Sequence, residues 1–419
     1  MSAIEKEREM FKEYDVRGKC PQVVNEEKFC RLGKALEKFS KEMVICHDFR
    51  RSGTSLTEAL AAGFSGEVLF LGAAPTPAVA FLGEKLGCSV TASHNPAGYN
   101  GAKFSREKRC FWREELLELE KEFEKAKKPG KGKRPLEKDE ALIEKYSLFL
   151  PPIERGLFDL CGGAACALKE IFPEKIFGEP DPDYERHSAE PKDETLEELK
   201  KRTKGKRVAG FAFDGDADRL VVVDKGKTIA GDVLAAFAAV KLFPKKSRVA
   251  LTIDCSNEVF RFLRDEGMTV DVAGVGDVNL VKTALEKGAV FAAEKSGHYS
   301  FFKHMAYSDG IYAAAVLSQF KAGEFAEFAS RFKSVVLKQE LFFPVDFGRL
   351  EDEVRGERGL ESIATIDGIK ADFPDYSLLI RASKTEPKIR VNAEAGTREN
   401  AEKGLARAVE LAGKSRKKA

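Results

Sequence analysis

The 419-residue sequence has almost no net charge: Lys+Arg 70 against Asp+Glu 68 leaves +2. That balance excludes a global field able to recruit nucleic acid or an anionic membrane surface, so any anion must be bound locally. Long hydrophobic runs are also missing. No apolar stretch approaches the roughly 18 residues of a membrane span, and Met1 to Lys12 is charged throughout where a secretory leader needs an apolar segment. The expectation is a cytoplasmic protein with no membrane partner. Its 8 cysteines contain no Cys-x-x-Cys pair, which removes the usual zinc spacing. Cys161 and Cys166, the closest two, lie in a Gly/Ala-rich turn and read as small buried residues.

What is present is a globular composition, 43% hydrophobic and 33% charged, in a chain too long for one core and suited to two to four domains. Short β-branched or aromatic runs bounded by turn residues read as buried strands: Met43 to Cys46, Val68 to Leu71, Val208 to Phe213, Leu220 to Val223 and Val249 to Ile253. Amphipathic stretches such as Glu114 to Lys125 and Glu194 to Lys201 suit surface helices, and the alternation implies α/β layers with mixed or parallel sheets. Lys127 to Pro135 joins breakers to like charge and reads as a linker. Lys225-Gly226-Lys227 is a hairpin-type turn, after which Gly231-Asp232 opens an apolar helix through Val240. After Phe332 to Leu337 a helical pattern gives way to Phe342-Phe343-Pro344-Val345. These signals divide the chain at 1–135, 136–229, 230–338 and 339–419, with no internal repeat strong enough to relate the segments.

Four loops carry chemistry. In Thr91-Ala92-Ser93-His94-Asn95-Pro96 a single serine sits among turn dipeptides that continue through Ala97-Gly98 and Asn100-Gly101 to Lys103. A serine hydroxyl is a weak nucleophile, so it needs an activating base or a role as a phosphoryl carrier, and backbone N–H groups of such a loop suit a phosphate. Asp214-Gly215-Asp216-Ala217-Asp218-Arg219 brings three carboxylates together, which repel unless a cation neutralises them. Hard oxygen donors favour Mg²⁺ or Ca²⁺. An EF-hand is excluded by Arg219 where Gly is required and Lys225 where Glu is required, leaving Mg²⁺. Glu294-Lys295-Ser296-Gly297-His298 pairs a carboxylate with a hydroxyl suited to reading vicinal sugar hydroxyls. Arg381, Ser383, Lys384 and Thr385, closed by Glu386-Pro387, offer enough donors for a phosphate dianion.

All four in this order, with Tyr14-Asp15-Val16-Arg17-Gly18 ahead of them and Asp309-Gly310-Ile311 after the third, resemble the α-D-phosphohexomutase superfamily of phosphomannomutases and phosphoglucomutases. The resemblance runs to about Glu394 and implies three related α/β domains with mixed sheets plus a smaller α+β C-terminal domain around a central cleft. It further implies an isomerase that interconverts hexose 6-phosphate and hexose 1-phosphate through phosphorylated Ser93 and a 1,6-bisphosphate intermediate. One Mg²⁺ per chain would be held by Asp214, Asp216, Asp218 and Ser93, with Arg219 beside the transferring phosphoryl group. His94 lies in the substrate-contacting serine loop, Lys103 and His298 are the candidates for proton management, and Arg17 approaches substrate. Glu294 and Ser296 would hold sugar hydroxyls, and Arg381, Ser383, Lys384 and Thr385 the phosphate that is not transferred. Hexose phosphates are the expected partners, hexose 1,6-bisphosphate the activator, and a monomer or homodimer the expected assembly.

Two departures stand out. No Lys or Arg lies between Asp271 and Val281, where active members carry a basic residue, and Asp159 to Ala164 replaces a more Asn-rich turn. Tyr99-Asn100-Gly101 and the loop from Ser296 to Gly310 point to mannose or glucose as the sugar. Phosphoglucosamine mutase is the alternative within the class, and a metal-dependent sugar phosphatase or a catalytically silent sugar-phosphate binder are the alternatives outside it.

Overall fold

The computed structural model describes residues 9–126, 133–383 and 388–417. Most of the expected linker, 127–132, lies outside them, as do Lys384 and Thr385. Among the described residues are four sheets. The first runs, in spatial order, Val16–Lys19, Tyr99–Arg106, Gly87–Val90, Glu42–His47 and Glu67–Ala73, with Arg109–Cys110 paired to Tyr99–Arg106. The second runs Lys227–Ile229, Leu220–Asp224, Gly210–Phe213, Leu157–Asp159 and Glu174–Ile176. The third runs Thr269–Ala273, Arg248–Thr252, Phe291–Ala293 and Tyr299–Phe301.

These three sheets share one plan that the sequence does not show. In each, a first strand of the plan, Glu42–His47, Leu157–Asp159 or Arg248–Thr252, lies between the second and third and runs parallel to both, and a fourth strand returns antiparallel to the third; the first sheet adds Val16–Lys19 at its edge, antiparallel to Tyr99–Arg106. The connection from third to fourth strand is short in every case. It carries the serine loop after Gly87–Val90, the aspartate loop after Gly210–Phe213 and the Glu294 loop after Phe291–Ala293. Three equivalent hairpin ends thus point their chemistry at one place.

Local chemistry explains the elements. Helix Glu26–Leu36 starts where the Asn25 side chain accepts from Lys28 N, and carries Glu26 and Glu27 in its first turn and Lys34 in its last, matching the helix dipole. Lys225 and Gly226 both have positive φ, 52° and 74°, the conformation of a two-residue turn that follows strand twist, and this closes the hairpin of Leu220–Asp224 with Lys227–Ile229. Helix Gly231–Leu242 is buried along most of its length, as its apolar run requires. Asp309 is a helix cap: its side chain accepts from Tyr312 N and from the buried Tyr146 hydroxyl.

The fourth sheet is antiparallel, in the order Val335–Leu341, Ile389–Ala395, Ser377–Ala382, Ile369–Asp372 and Ser362–Ala364; the last four form a meander, Val335–Leu341 joins its closing strand, and helix Arg398–Lys414 covers the sheet. The expected division at 338/339 falls inside Val335–Leu341, whose full length pairs with Ile389–Ala395. A strand cannot leave its ladder without exposing unpaired backbone groups, so we place the division before Val335. The helical pattern expected up to Leu337 is therefore strand from Val335 onward.

Packing separates the fourth unit from the others. One continuous apolar cluster runs from Val44 and Ala78 through Phe158, Phe211 and Phe237 to Val249 and Phe301, joining the first three sheets. Leu350, Val354, Val391 and Leu411 form a core of their own in the fourth. Its junction with the third unit is polar: Lys370 Nζ donates to the carbonyls of Ile253 and Cys255, both at 2.9 Å, and Glu394 accepts from Ser256 Oγ at 2.6 Å and Asn257 N at 3.0 Å.

Candidate active site

Ser93 stands at the meeting point of the first two hairpin ends. Its backbone has φ 51°, left-handed and unusual for a residue with a Cβ, and its side chain is buried. From there Oγ donates to Asp214 Oδ2 at 2.8 Å and lies 3.2 Å from His94 Nδ1. Asp214, Asp216 and Asp218 are all at most 1% exposed, and one oxygen from each lies within 4.8 Å of the others. Lys103, from the strand that follows the serine loop, reaches across to Asp216 Oδ2 at 2.8 Å and Asp218 Oδ2 at 2.5 Å.

The third hairpin closes the ring. His298 Nδ1 is 2.7 Å from Glu294 Oε2, and Nε2 is 3.2 Å from Asp218 Oδ1. Ser296 Oγ donates to Glu294 Oε2 at 2.8 Å. Arg219 pairs by backbone bridge with His298, and its Nε lies 3.9 Å from Asp214 Oδ2. Arg17 joins from the first sheet's edge strand by donating to Asn95 Oδ1 at 2.6 Å and pairing with Asp15. Serine, aspartate and Glu294 loops therefore form a single polar network.

Charge in this network is sharply divided. Burial alone would lower the Lys103 pKa, but Asp216, Asp218 and Asp214 outweigh it and raise it, so the ammonium keeps its charge. Burial likewise opposes charge on His298, yet Asp218 and Glu294 push its pKa up to about 10. The charge of Arg219, then burial, then Arg17 and Lys103, drive His94 far below its usual range, so it stays neutral beside Ser93. Burial and the neighbouring Asp216 and Asp218 raise Asp214 to about 8.

The donor set fits a hard divalent cation. Three buried carboxylates converge, Asp216 Oδ1 has no hydrogen-bond partner, and every available ligand atom is oxygen. Asp277 forms a second grouping with Asp218 and His298. It belongs to the third-unit loop that lacks a basic residue. The same loop is tied down by carboxylates instead: Gly276 N donates to Glu294 Oε1 at 2.6 Å and Val275 N to Asp367 Oδ2 at 3.1 Å. Arg381 Nη1 donates to that same Asp367 Oδ2 at 3.0 Å, which links the fourth sheet to the cleft wall. Ser383 N donates to Lys388 O at 2.8 Å.

Several participants escaped the sequence reading. Asp48 and Arg50 hold the serine loop, Asp48 through Thr91 of that loop, Thr76 Oγ1 donates to Asp216 Oδ2 at 2.8 Å, and Asn279 Nδ2 donates to the Tyr14 hydroxyl at 2.7 Å. The charged turn Asp48-Phe49-Arg50-Arg51 directly after a strand was a usable signal for the first two. Asp367 carried none, because its role exists only where two sheets meet.

Comparison with known proteins follows the same outline. The family model for phosphoglucomutase/phosphomannomutase alpha/beta/alpha domain I matches residues 8–129, that for alpha/beta/alpha domain III matches 230–334, and that for the C-terminal domain matches 336–411. The chain is 30% identical to a probable phosphoglucosamine mutase of Methanocella arvoryzae over 94% of this chain and 95% of that protein. It is 31% identical to a probable phosphoglucosamine mutase of Pyrococcus abyssi, covering 95% and 97%. Among solved structures, a phosphoglucomutase/phosphomannomutase family protein of Burkholderia thailandensis superposes with TM-score 0.85 at 25% identity, covering 98% of this chain and 99% of that one. A putative phosphomannomutase of Thermus thermophilus shares the fold at TM-score 0.77 and 22% identity, covering 96% and 98%. Among the described residues no helix is long and apolar enough to cross a membrane.

Proposed function

The chain belongs to the phosphoglucomutase/phosphomannomutase family, within the α-D-phosphohexomutase superfamily, and from that premise we propose that it is a phosphoglucosamine mutase. Membership establishes an isomerase of the phosphohexomutase type. The choice of sugar rests on the curated relatives, which match over nearly the whole chain and carry the amino-sugar name. They favour that reading over the mannose or glucose preference expected from the Tyr99 and Ser296 loops.

The observation that carries the mechanism is Ser93 Oγ, buried and 2.8 Å from Asp214, in a network whose aspartates also hold Lys103 and Arg219. In the proposed cycle phosphorylated Ser93 gives its phosphoryl group to the free hydroxyl of glucosamine phosphate. The Oγ–P bond breaks as the sugar O–P bond forms, and the proton lost by the sugar hydroxyl is matched by one regained on Ser93 Oγ. The resulting 1,6-bisphosphate turns over in the cleft and its other phosphate returns to Ser93. Free hexose 1,6-bisphosphate would act as activator by loading Ser93. Asp214, Asp216, Asp218 and an oxygen at Ser93 would hold Mg²⁺, which supplies neutralisation of phosphoryl charge. Arg219 adds a fixed positive charge at the same point, as phosphoryl transfer requires. Lys103 and His298, both protonated in this field, are the candidates for proton management at the sugar hydroxyl. Glu294 and Ser296 are placed to take sugar hydroxyls. Arg381 and Ser383, with Lys384 and Thr385 beyond the described residues, would take the distal phosphate.

Turnover of glucosamine, glucose and mannose 6-phosphates with Mg²⁺ and a trace of the matching bisphosphate tests this. The expected result is isomerisation with the highest kcat/KM on glucosamine phosphate, lost in Ser93→Ala. A preference for glucose or mannose overturns the choice of sugar. Release of free phosphate instead of isomer would identify a phosphatase, and binding without turnover a silent protein.

A further inference from the structure

Ser93 needs a support that its own loop does not provide. A left-handed backbone is strained at a residue with a Cβ and persists only where surroundings hold it. The support is Arg50. Its side chain is fully buried, and all five guanidinium N–H donors are used. Nε donates to Asp48 Oδ2 at 3.0 Å, Nη2 to the carbonyls of Ser93 at 2.8 Å and Asn95 at 2.5 Å, and Nη1 to the carbonyls of Pro96 at 2.6 Å and Tyr99 at 3.1 Å.

The other side of Ser93 is tied to the same pair. Ser93 N donates to Thr91 Oγ1 at 2.8 Å, and Thr91 Oγ1 donates to Asp48 Oδ2 at 2.7 Å. Both backbone polar groups of the serine are thus closed in one ring through Thr91, Asp48 and Arg50. The Tyr184 ring from the second unit lies 5.0 Å from the guanidinium and caps it. By drawing four carbonyls of the loop to one side, Arg50 fixes the direction in which the serine hydroxyl leaves the backbone, toward Asp214.

We propose that Arg50 is the positioning residue of the phosphoryl carrier, setting the place of Ser93 Oγ against the aspartate loop without touching substrate. This rests on the reading of Ser93 as the carrier. The geometry explains why an arginine is needed: a lysine has three donors and no planar fork, so it cannot hold four carbonyls and a carboxylate together. Glu294, Ser296 and Arg381 stand on the third and fourth units, so their share of substrate binding should be independent of this clamp.

The experiment compares wild type, Arg50→Lys and Arg50→Met for transfer of ³²P from labelled glucosamine 1,6-bisphosphate to Ser93, for kcat and KM, and for Mg²⁺ affinity by calorimetry. A displacement of Oγ of about 1 Å is enough to cost roughly 100-fold. Arg50→Lys should therefore lower both the loading rate and kcat by about that factor, with KM within about three-fold of wild type and Mg²⁺ affinity falling far less than kcat, because the three aspartates keep their places when the Ser93 oxygen shifts. A merely structural role would lower activity only in proportion to the folded fraction. Arg50→Lys decides the question even where Arg50→Met fails to fold. Loading and kcat near wild type in Arg50→Lys, or equal losses in kcat and Mg²⁺ affinity, would overturn the proposal. A wild type that turns over without ever loading Ser93 would instead sink the carrier reading, and the clamp's purpose with it.

Discussion

Replacing Lys103 by methionine nearly keeps the side chain's length and removes its charge where buried carboxylates meet. The ammonium lies 2.8 Å from Asp216 Oδ2 and 2.5 Å from Asp218 Oδ2, with its side chain 13% exposed and its partners 1% and 0%. Removing one member of such a buried pair leaves charge without compensation, a loss of about 3–5 kcal/mol. At about 2–4 °C per kcal/mol the metal-free variant should melt about 6–20 °C below wild type. Calorimetry in EDTA reads this on the transition that is lowest in temperature, since four sheets need not melt as one unit. Mg²⁺ at 100 times its Kd returns about 2.7 kcal/mol. With the competing ammonium gone, Mg²⁺ should bind the variant more tightly and raise its melting temperature more than that of wild type. Melting of the metal-free variant within about 2 °C of wild type would show that Lys103 is not compensating buried charge. An equal Mg²⁺ response in both proteins would show that ion and ammonium do not share the aspartates.

Arg381→Ala should lower kcat/KM by roughly 30-fold or more on every hexose phosphate, because a buried charged donor lost from an anion costs about 2 kcal/mol at least, whereas Glu294→Ala should change the ranking of sugars. A change in sugar ranking with Arg381→Ala would refute that division of labour. Gly276 has φ 115°, and a Cβ there would stand 2.7 Å from the Tyr14 ring, so Gly276→Ala should cost about 1–3 kcal/mol in denaturant titration. Unchanged stability would mean that the loop can withdraw from Tyr14. Burial works against a charged His187, but Asp159, 3.2 Å away, raises its pKa above 6.5. A raised folded pKa stabilises fully below about pH 6.5 and loses that contribution as pH rises through the folded value. His187→Gln should accordingly lose less stability than wild type between pH 6 and pH 9, on urea midpoints, and parallel curves would exclude the pair as a contributor.

The chemistry was legible in the sequence wherever it is local. A loop that must present a serine or three carboxylates within six residues needs turn residues and small neighbours beside them, and these stand together in Ser93 to Lys103 and Asp214 to Arg219. The short buried strands were legible for the same reason, since burial on both faces requires continuous apolar runs. What the sequence left open depends on residues far apart in the chain. The bond from Ser93 to Asp214 spans 121 positions and the clamp from Arg50 to Ser93 spans 43. Asp367, which holds Arg381 within the fourth unit, meets Val275 N only where the third and fourth units touch. Strand Val335–Leu341 was misread because its alternation is weak and its exposed face resembles that of a helix. Its identity is decided by pairing with Ile389–Ala395. The common plan of the first three sheets is likewise a property of strand order, which no local pattern of side chains records. Sequence by itself determined which groups are offered at each hairpin end. Only the tertiary structure decided that the three ends converge, because convergence is set by how sheets pack across a shared core.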